Sequence, residues 1–339
     1  MHIVIIGSGI AGITLAEELR KAAPEAAVTV LTHEGHGYYS RPMLSHGFSR
    51  ADVETKIILR SIESLAGEGV EVRAGSDVLS VDPETKSVLY RRAGAETTLG
   101  YDTLVLATGS AALIPPPFRS AGGLYRVLNS LDDLIELRRH RETLLARGET
   151  PRWAIVGGGL IGCEVGSDLA RAGDRISLLH ALPRLMERQL AEEDSTLLLK
   201  VLQDQGIEVR LDAAVQGFEA ENGTYGVKLE DETLGEFHVI LVACGFKPRT
   251  ELAAAAGLET GRGIRVDAFL RTRNLHIHAL GDVAECVDGR IYAYVMPIRH
   301  QAQWLARFLA GQTREPWQPP AFKPRAKVHG FTAVHPYLF

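Results

Sequence analysis

One short pattern occurs twice in this 339-residue chain and limits what it can fold into. An apolar run at 2–6 meets Gly7, and a second apolar run at 153–156 meets Gly157. Each glycine turn is followed by an amphipathic stretch and then by another apolar strand. Strand, glycine-rich turn, helix and strand make up the βαβ unit of a parallel sheet. The sequence therefore predicts an α/β protein with two such units.

The remaining hydrophobic patterns predict the positions of further helices and strands. We expect the two amphipathic stretches to be helices at Ile10 to Lys21 and Leu160 to Arg171. After the first unit, alternating segments predict an antiparallel meander that leads into a buried strand at Thr103 to Ala107; they lie near 70–73, 78–82 and 87–90. A second set of the same kind follows the second unit, at 207–211, 214–219, 225–229 and 237–243.

The first turn has the spacing of a dinucleotide-binding motif and reads Gly7-Ser8-Gly9-Ile10-Ala11-Gly12. The first glycine permits the tight turn, the second lets the backbone approach a pyrophosphate, and the third allows close packing of helix on strand. The helix N-terminus adds a positive field. A strand before the motif and a helix after it favour nucleotide binding over a glycine motif that only packs. We expect Gly7, Ser8, Gly9, Ala11 and Gly12 to contact the pyrophosphate.

An acidic residue that binds the ribose is expected about 20 residues further on, at the end of the second strand. Thr32 occupies the strand end here, followed by His33 and Glu34. This departs from the usual pattern. We therefore keep Thr32 and Glu34 as candidates, assign the ribose contact to Glu34, and count His33 among the residues expected to contact the cofactor.

The second turn has the same spacing, with an acidic residue one turn into its helix. Its candidate residues are Gly157, Gly159, Leu160, Ile161, Gly162 and Glu164. An acidic residue at the following strand end would select NADH, whereas arginines would favour the 2′-phosphate of NADPH. His180 stands there, and Arg184 lies four residues on. The choice stays open, with NADH ahead because no arginine occupies the strand end itself.

Three further segments narrow the class of protein. They are Ala107-Thr108-Gly109 and Ala243-Cys244-Gly245, which end two predicted strands, and Leu280-Gly281-Asp282 after a third. Together with the two turns, they resemble the two-dinucleotide-binding-domain flavoprotein superfamily. The resemblance implies that Asp282 binds the ribityl or pyrophosphate part of FAD.

Within that superfamily the sequence is most similar to rubredoxin reductases and related ferredoxin reductases. The matching segments include Tyr39 to Ser45, Gly263 to Asp267 and Tyr294 to Pro297. The resemblance implies two Rossmann-like three-layer ββα domains, with the NAD domain inserted in the FAD domain. The expected division is an FAD domain at 1–112 and 248–315, an NAD(P) domain at 113–247, and a remnant of a C-terminal domain at 316–339.

The resemblance also implies roles for individual residues. Arg41 would lie over the flavin, and Glu164 would lie between nicotinamide and flavin; these two are the expected catalytic residues. Val295 would meet the pyrimidine end of the ring, at the start of a helix predicted from Arg299 to Leu309. The other residues expected to contact the cofactors are Pro42, Val78, Ala107, Thr108, Gly109, Gly245, Gly281 and Lys327.

The absence of cysteine at 38–48 separates this chain from relatives that use thiols beside the flavin. Without a thiol to relay electrons, disulfide and peroxide chemistry by that route is excluded. We interpret the chain as a flavoprotein that takes a hydride from NAD(P)H and passes electrons to a small iron carrier. Rubredoxin is the first candidate for this carrier. The alternatives are a ferredoxin reductase that serves an oxygenase, and a flavin-binding interaction protein that responds to NADH.

Composition excludes several other classes of function. A net charge of −5 gives no reason to expect a nucleic-acid partner. No apolar run reaches 18 residues, so we expect no membrane span. A start that predicts a strand, without a signal sequence, indicates a cytoplasmic protein. His276 and His278 have no third ligand at a known spacing, so we expect no metal site.

The C-terminal region carries one further expectation. The resembled reductases continue into a third domain, of which this chain has only a short part that ends in Tyr337, Leu338 and Phe339. An exposed apolar face of this kind tends to mark an interface. We therefore expect a second chain, either another copy or a different subunit, to cover the flavin.

Overall fold

The computed structural model describes residues 1–338; Phe339, the last residue of the predicted apolar end, lies outside the described residues. The chain folds into two compact units. The first unit contains Met1–Ser40, Ile57–Ala111 and Lys247–Phe322. The second contains Arg41–Lys56, Ala112–Phe246 and the residues from Lys323 onward.

The helices and strands alternate in the way that the repeated βαβ pattern predicts. The helices are α1 (Ile10–Ala22), α2 (Val53–Lys56), α3 (Ile62–Gly67), α4 (Leu131–Ala146), α5 (Leu160–Arg171), α6 (Glu192–Asp204), α7 (Glu251–Ala255) and α8 (Val295–Leu309). Short 3-10 helices lie at Arg41–His46, Pro116–Ala121 and Gly281–Val283.

The strands are short and mostly apolar. They are β1 (His2–Ile6), β2 (Ala27–Leu31), β3 (Tyr38–Tyr39), β4 (Ile58–Arg60), β5 (Val70–Arg73), β6 (Ser76–Asp82), β7 (Ser87–Arg92), β8 (Ala95–Gly100), β9 (Thr103–Leu106), β10 (Ser110–Ala112), β11 (Arg152–Val156), β12 (Arg175–Leu179), β13 (Glu208–Arg210), β14 (Gly217–Glu221), β15 (Thr224–Lys228), β16 (Thr233–Phe237), β17 (Val239–Val242), β18 (Phe246–Pro248), β19 (Ile264–Arg265), β20 (Ile277–Ala279) and β21 (Ala284–Glu285).

The first unit is built on a five-stranded parallel sheet in the order β20-β9-β1-β2-β5. β1 lies at its centre, where Ile3, Val4 and Ile5 are completely buried. A strand buried on both faces favours a continuous β-branched run, and this is what 2–6 supplies. Because β1 and β2 are parallel, their carboxyl ends lie at the same edge of the sheet, and the Gly7 turn lies at this edge.

The second unit repeats the plan with a four-stranded parallel sheet in the order β13-β12-β11-β17. Helix α5 begins at Leu160 and ends at Arg171, as predicted. Trp153 in β11 is completely buried, and its indole N–H donates to Asp174 at 2.9 Å. The sheet thus places the Gly157 turn in the same position as the Gly7 turn of the first unit.

Both meanders were predicted with strands that in fact belong to the parallel sheets. Residues 70–73 form β5 and pair in parallel with β2, so the first meander consists of β6, β7 and β8. Likewise, 207–211 and 237–243 contribute β13 and β17 to the parallel sheet, and the second meander is β14-β15-β16. An edge strand of a parallel sheet alternates apolar and polar residues just as a meander strand does, so periodicity cannot separate them.

The last helix begins earlier than predicted. α8 starts at Val295 rather than at Arg299, and it includes Pro297 in its first turn. Proline is tolerated there because its missing N–H would have no partner within the helix. Val295 therefore lies in the first turn of α8.

After Leu309, the described residues form no further helix or strand. The described residues from Lys323 onward, called the tail here, belong to the second unit. Within residues 1–338, no helix has both the length and the apolarity that a membrane crossing requires.

Candidate functional site

The first glycine turn has backbone geometry that only glycine satisfies. Gly7 has φ +116°, and a Cβ there would lie 2.2 Å from the carbonyl oxygen of Ala107. A Cβ on Gly12 would lie 1.9 Å from the carbonyl oxygen of Gly7. Both positions are therefore fixed by close packing of the turn on β9 and of α1 on the turn.

The N-terminus of α1 has the donors that a pyrophosphate needs. Gly9 is the N-cap residue, and in the described chain no side chain caps the helix. The first N–H groups of a helix have no partner within the helix, and the helix dipole makes this end positive. The turn and helix therefore fit the diphosphate of a dinucleotide.

At the end of β2, the candidate ribose contacts form a small network. The hydroxyl groups of Ser8 and Thr32 lie 2.8 Å apart, and Thr32 Oγ1 also accepts the Glu34 N–H at 3.2 Å. Thr32 is thus engaged in holding the turn. Glu34 is buried, whereas His33 is exposed. This arrangement favours Glu34 over Thr32 as the ribose contact.

Asp282 lies in the 3-10 helix at Gly281–Val283, in the same unit. Its Oδ2 accepts the Ser110 hydroxyl at 2.9 Å. Gly281 has φ +78°, and its N–H donates to Oε1 of the completely buried Gln301 at 2.8 Å. Gln301, which the sequence analysis missed, therefore holds the Asp282 turn from α8.

The segment after β9 is also tied down within the first unit. Thr108 Oγ1 donates to the Arg249 carbonyl at 3.0 Å, and the Arg249 N–H donates to the Gly109 carbonyl at 3.0 Å. Val78 lies half-buried in β6 opposite Tyr90.

The second turn repeats the first almost exactly in its backbone. Gly157 has φ +116°, and a Cβ there would lie 2.4 Å from the Ala243 carbonyl oxygen. A Cβ on Gly162 would lie 1.9 Å from the Gly157 carbonyl oxygen. Gly159 differs, because a Cβ there meets no atom within 4 Å. Packing therefore does not require glycine at 159, but the close approach of a pyrophosphate does.

His180 is engaged in holding the second turn. Its Nδ1 accepts the Gly158 N–H at 3.0 Å, and its Nε2 lies 3.2 Å from Oε2 of Glu187. Arg184 is also used internally, since it donates to the carbonyls of Leu190 and Glu187. Glu187, which the sequence analysis missed, thus places a carboxylate near the end of β12.

Glu164 is the centre of a buried polar cluster. Its side chain is 1 % exposed, and its two oxygens accept the Ser45 hydroxyl at 2.6 Å and the Lys327 backbone N–H at 2.8 Å. The Lys327 ammonium forms an ion pair with the same carboxylate. Three segments meet here: the 3-10 helix at Arg41–His46, α5 and the tail. The sequence predicts Lys327 as a cofactor contact, whereas no sequence pattern assigns a role to Ser45.

The tail is anchored on both sides of Lys327. The Ala326 N–H donates to the Tyr337 hydroxyl at 2.7 Å, and the His329 N–H donates to Ser167 Oγ at 3.1 Å. Further along, the buried Asp194 carboxylate accepts the N–H groups of Val334 and His335 at 2.8 and 2.9 Å. The Ser167 contact holds the tail on α5, and the Asp194 contacts hold it on α6.

The remaining predicted residues take the following places. The Arg41 guanidinium donates to the Asn129 carbonyl, and Pro42 is exposed beside it. Leu160 and Ile161 form the first turn of α5 and are half-buried. Gly245 has φ +109° and is exposed after β17.

The three cysteine side chains are not placed for thiol chemistry. Cys163 and Cys286 are buried and Cys244 is half-buried, and none forms a disulfide. Burial raises the pKa of Cys244 to about 11 and that of Cys286 to about 12, and it also raises the pKa of Cys163. All three thiols are therefore protonated near neutral pH, when they are poor nucleophiles.

Comparison with known proteins identifies the family. A family model described as pyridine nucleotide-disulphide oxidoreductase matches residues 1–304. The chain belongs to this family. Its fold class is therefore the α/β class predicted from the two βαβ units. Membership of this family also implies FAD and NAD(H) as cofactors.

The chain is also similar to individual proteins. The chain is 36% identical over 318 residues to the rubredoxin-NAD(+) reductase of Alcanivorax borkumensis, covering 93% of this chain and 80% of that protein. It is 33% identical over 321 residues to the nitric oxide reductase FlRd-NAD(+) reductase of Vibrio vulnificus, covering 94% and 81%. A solved covalent complex of putidaredoxin reductase with putidaredoxin matches with a TM-score of 0.86 at 26% identity, covering 97% and 79%.

Proposed function

We propose that the chain is an FAD-dependent NADH oxidoreductase that passes single electrons to a small iron carrier, with rubredoxin as the first candidate. The observation that carries the proposal is the pair of glycine turns. Each unit has its own turn at the carboxyl edge of a parallel sheet, followed by an uncapped helix. One turn serves FAD and the other serves NADH.

The bound FAD supplies the conversion of a hydride into single electrons, which no side chain can provide. The Gly7 turn would hold the FAD pyrophosphate, with Asp282 and Glu34 as further polar contacts. The Gly157 turn would hold NADH. Lys327 is a further proposed cofactor contact, and its ion pair with Glu164 holds its ammonium in a defined position.

The carrier is proposed from the relatives. Two relatives are named as rubredoxin-NAD(+) reductases, and the solved relative is a covalent complex of putidaredoxin reductase with putidaredoxin. Rubredoxin therefore comes first, and a ferredoxin that serves an oxygenase comes second. A second chain that covers the flavin stays a prediction. We place the protein in the cytoplasm, where NADH is available as its substrate.

The nucleotide preference follows from the side chains near β12. Glu187 would repel the 2′-phosphate of NADPH, and Arg184 is engaged with backbone carbonyls. We expect kcat/KM for NADH to exceed that for NADPH by about 10-fold or more, or roughly 1.4 kcal/mol. Glu187→Gln should reduce this ratio, and Glu192→Gln, an exposed acidic residue in α6, should leave it unchanged. Equal use of both nucleotides by the parent protein would contradict this assignment.

The proposed function is tested by NADH oxidation with separate carriers. We expect the purified protein to be yellow, to contain one FAD per chain, and to reduce rubredoxin far faster than it consumes oxygen without a carrier. Parallel assays with a ferredoxin distinguish the second candidate.

Two outcomes would reject the proposal in different ways. A colourless protein that cannot be reconstituted with FAD would end the flavoprotein assignment. A flavoprotein that NADH reduces but that transfers electrons to neither carrier would favour the interaction protein that responds to NADH.

A further inference from the structure

Beside the Glu164 cluster, three side chains with metal-ligating groups converge. They are His46 at the end of the 3-10 helix, Asp168 in α5 and His329 in the tail, and one donor atom from each lies within 4.8 Å of the others. Nothing in the proposed electron transfer requires them. We propose that His46, Asp168 and His329 bind one divalent metal ion of the zinc class.

The donor set suits such an ion. Two imidazoles and one carboxylate are ligands that Zn²⁺ and neighbouring transition metals prefer, with a fourth position left for water. Bonds of about 2.0–2.1 Å in a tetrahedral site separate ligand atoms by roughly 3.4 Å. His329 Nε2 lies 3.4 Å and His46 Nδ1 lies 3.8 Å from the same oxygen, Oδ1 of Asp168. These two distances need an adjustment of only a few tenths of an ångström, and the two imidazole nitrogens lie within 4.8 Å of each other.

The carboxylate is already oriented towards the two rings. Asp168 is completely buried, and its Oδ2 accepts the backbone N–H groups of Phe48 and Ser49 at 2.8 and 3.0 Å. Its Oδ1 accepts the Ser49 hydroxyl and retains a second lone pair. Hydrogen bonds to the non-ligating positions of a carboxylate are the usual support of a metal ligand.

His46 gives a second, independent indication. It is 7 % exposed, and among the described residues its Nε2 has no hydrogen-bond partner. A buried ring nitrogen without a partner is costly in a structure that serves packing alone. Only ligation through Nε2, with the ring turned so that this nitrogen faces Asp168, would satisfy it.

The site also has access to solvent. The His329 side chain is 28 % exposed, whereas the other two ligands are buried. Arg171 lies 3.2 Å from Nδ1 of His329, and as an exposed side chain it can turn away when that nitrogen carries a proton. A metal ion would therefore enter from the His329 side.

A metal ion here would join three segments that are distant in sequence. We expect it to hold the tail and the 3-10 helix at Arg41–His46 on α5. Its binding should therefore slow proteolytic cleavage within residues 323–338, because opening of the tail would require loss of a ligand.

The test uses flavin-loaded protein without a histidine tag, stripped with a chelator and titrated with Zn²⁺ alone. Calorimetry and metal analysis after dialysis should give one ion per chain. His329→Ala should weaken zinc binding at least about 10-fold, as should His46→Gln. His335→Ala removes a histidine from the same tail and should bind zinc like the parent protein.

His329→Ala is the primary variant, because the His329 side chain is the most exposed of the three ligands. The FAD content of this variant shows whether it is folded. Zinc should also slow tail cleavage in the parent protein and in His335→Ala but not in His329→Ala. No stoichiometric zinc in the parent protein would overturn the proposal. Equal zinc binding by all variants would also overturn it. The three residues would then serve only as a hydrogen-bonded anchor for the tail.

Discussion

Replacement of Gly159 by valine is expected to abolish reduction of the protein by NADH while FAD remains bound. Gly159 is the N-cap residue of α5, and the space next to its Cα contains no protein atom within 4 Å of an added Cβ. A valine should therefore cost the fold little but would occupy the place that we propose for the NADH pyrophosphate. Because small displacements of a bound substrate lower rates by about 100-fold, we expect at least that loss.

The measurement is bleaching of the flavin absorbance after rapid mixing with NADH. Gly217→Val in β14 is the matched control, since a Cβ there also meets no atom within 4 Å and valine suits a strand. Gly217→Val should be reduced at the parent rate. Parental bleaching in Gly159→Val would show that the second turn does not bind NADH.

The second large effect is expected from removal of the Lys327 ammonium. Lys327→Met leaves the buried Glu164 carboxylate with the Ser45 hydroxyl and one backbone N–H but without its cation. An uncompensated buried charge costs about 3–5 kcal/mol. Because the Lys327 side chain is one-third exposed, we expect a loss of about 2–3 kcal/mol in the free energy of unfolding.

A double-mutant cycle separates charge from packing. Glu164→Gln combined with Lys327→Met removes both charges, and it should recover part of the stability that the single Lys327→Met change loses. Lys323→Met, in the same tail and exposed, is the matched control and should unfold like the parent protein. The measurement is urea unfolding of the flavin-loaded protein. Additive effects of the two changes would contradict a coupled ion pair.

The glycine turns were predictable because their requirements are local. Gly7 and Gly157 need a positive φ and clearance from one neighbouring strand, and both follow from the strand–turn–helix pattern. The predicted start of α8 is late because a proline can either precede a helix or lie in its first turn, as Pro297 does. β5 was misassigned because its alternation of Val70, Glu71 and Val72 fits both an edge strand and a meander.

Contacts between distant segments could not be predicted from spacing. Asp168 and Asp194 accept backbone N–H groups from residues more than 100 positions away. Gln301 likewise acts through a backbone group 20 residues earlier, on the Gly281 turn. No periodicity links such partners. Only a polar residue in a buried helix without a local partner, such as Asp168, gives a signal, and this signal does not identify the partner.

The covalent connection of the tail to the rest of the chain keeps the Lys327 ammonium at a high effective concentration near Glu164. Lys327 comes from a segment without helix or strand, and hydrogen bonds to Ser167 and Asp194 hold it beside α5. While the chain is continuous, the ammonium is available to Glu164 at an effective concentration in the millimolar range or above. One cut between Leu309 and Lys327 would make the same contact bimolecular. A peptide with the sequence of residues 323–338 would then have to reach millimolar concentrations to replace it.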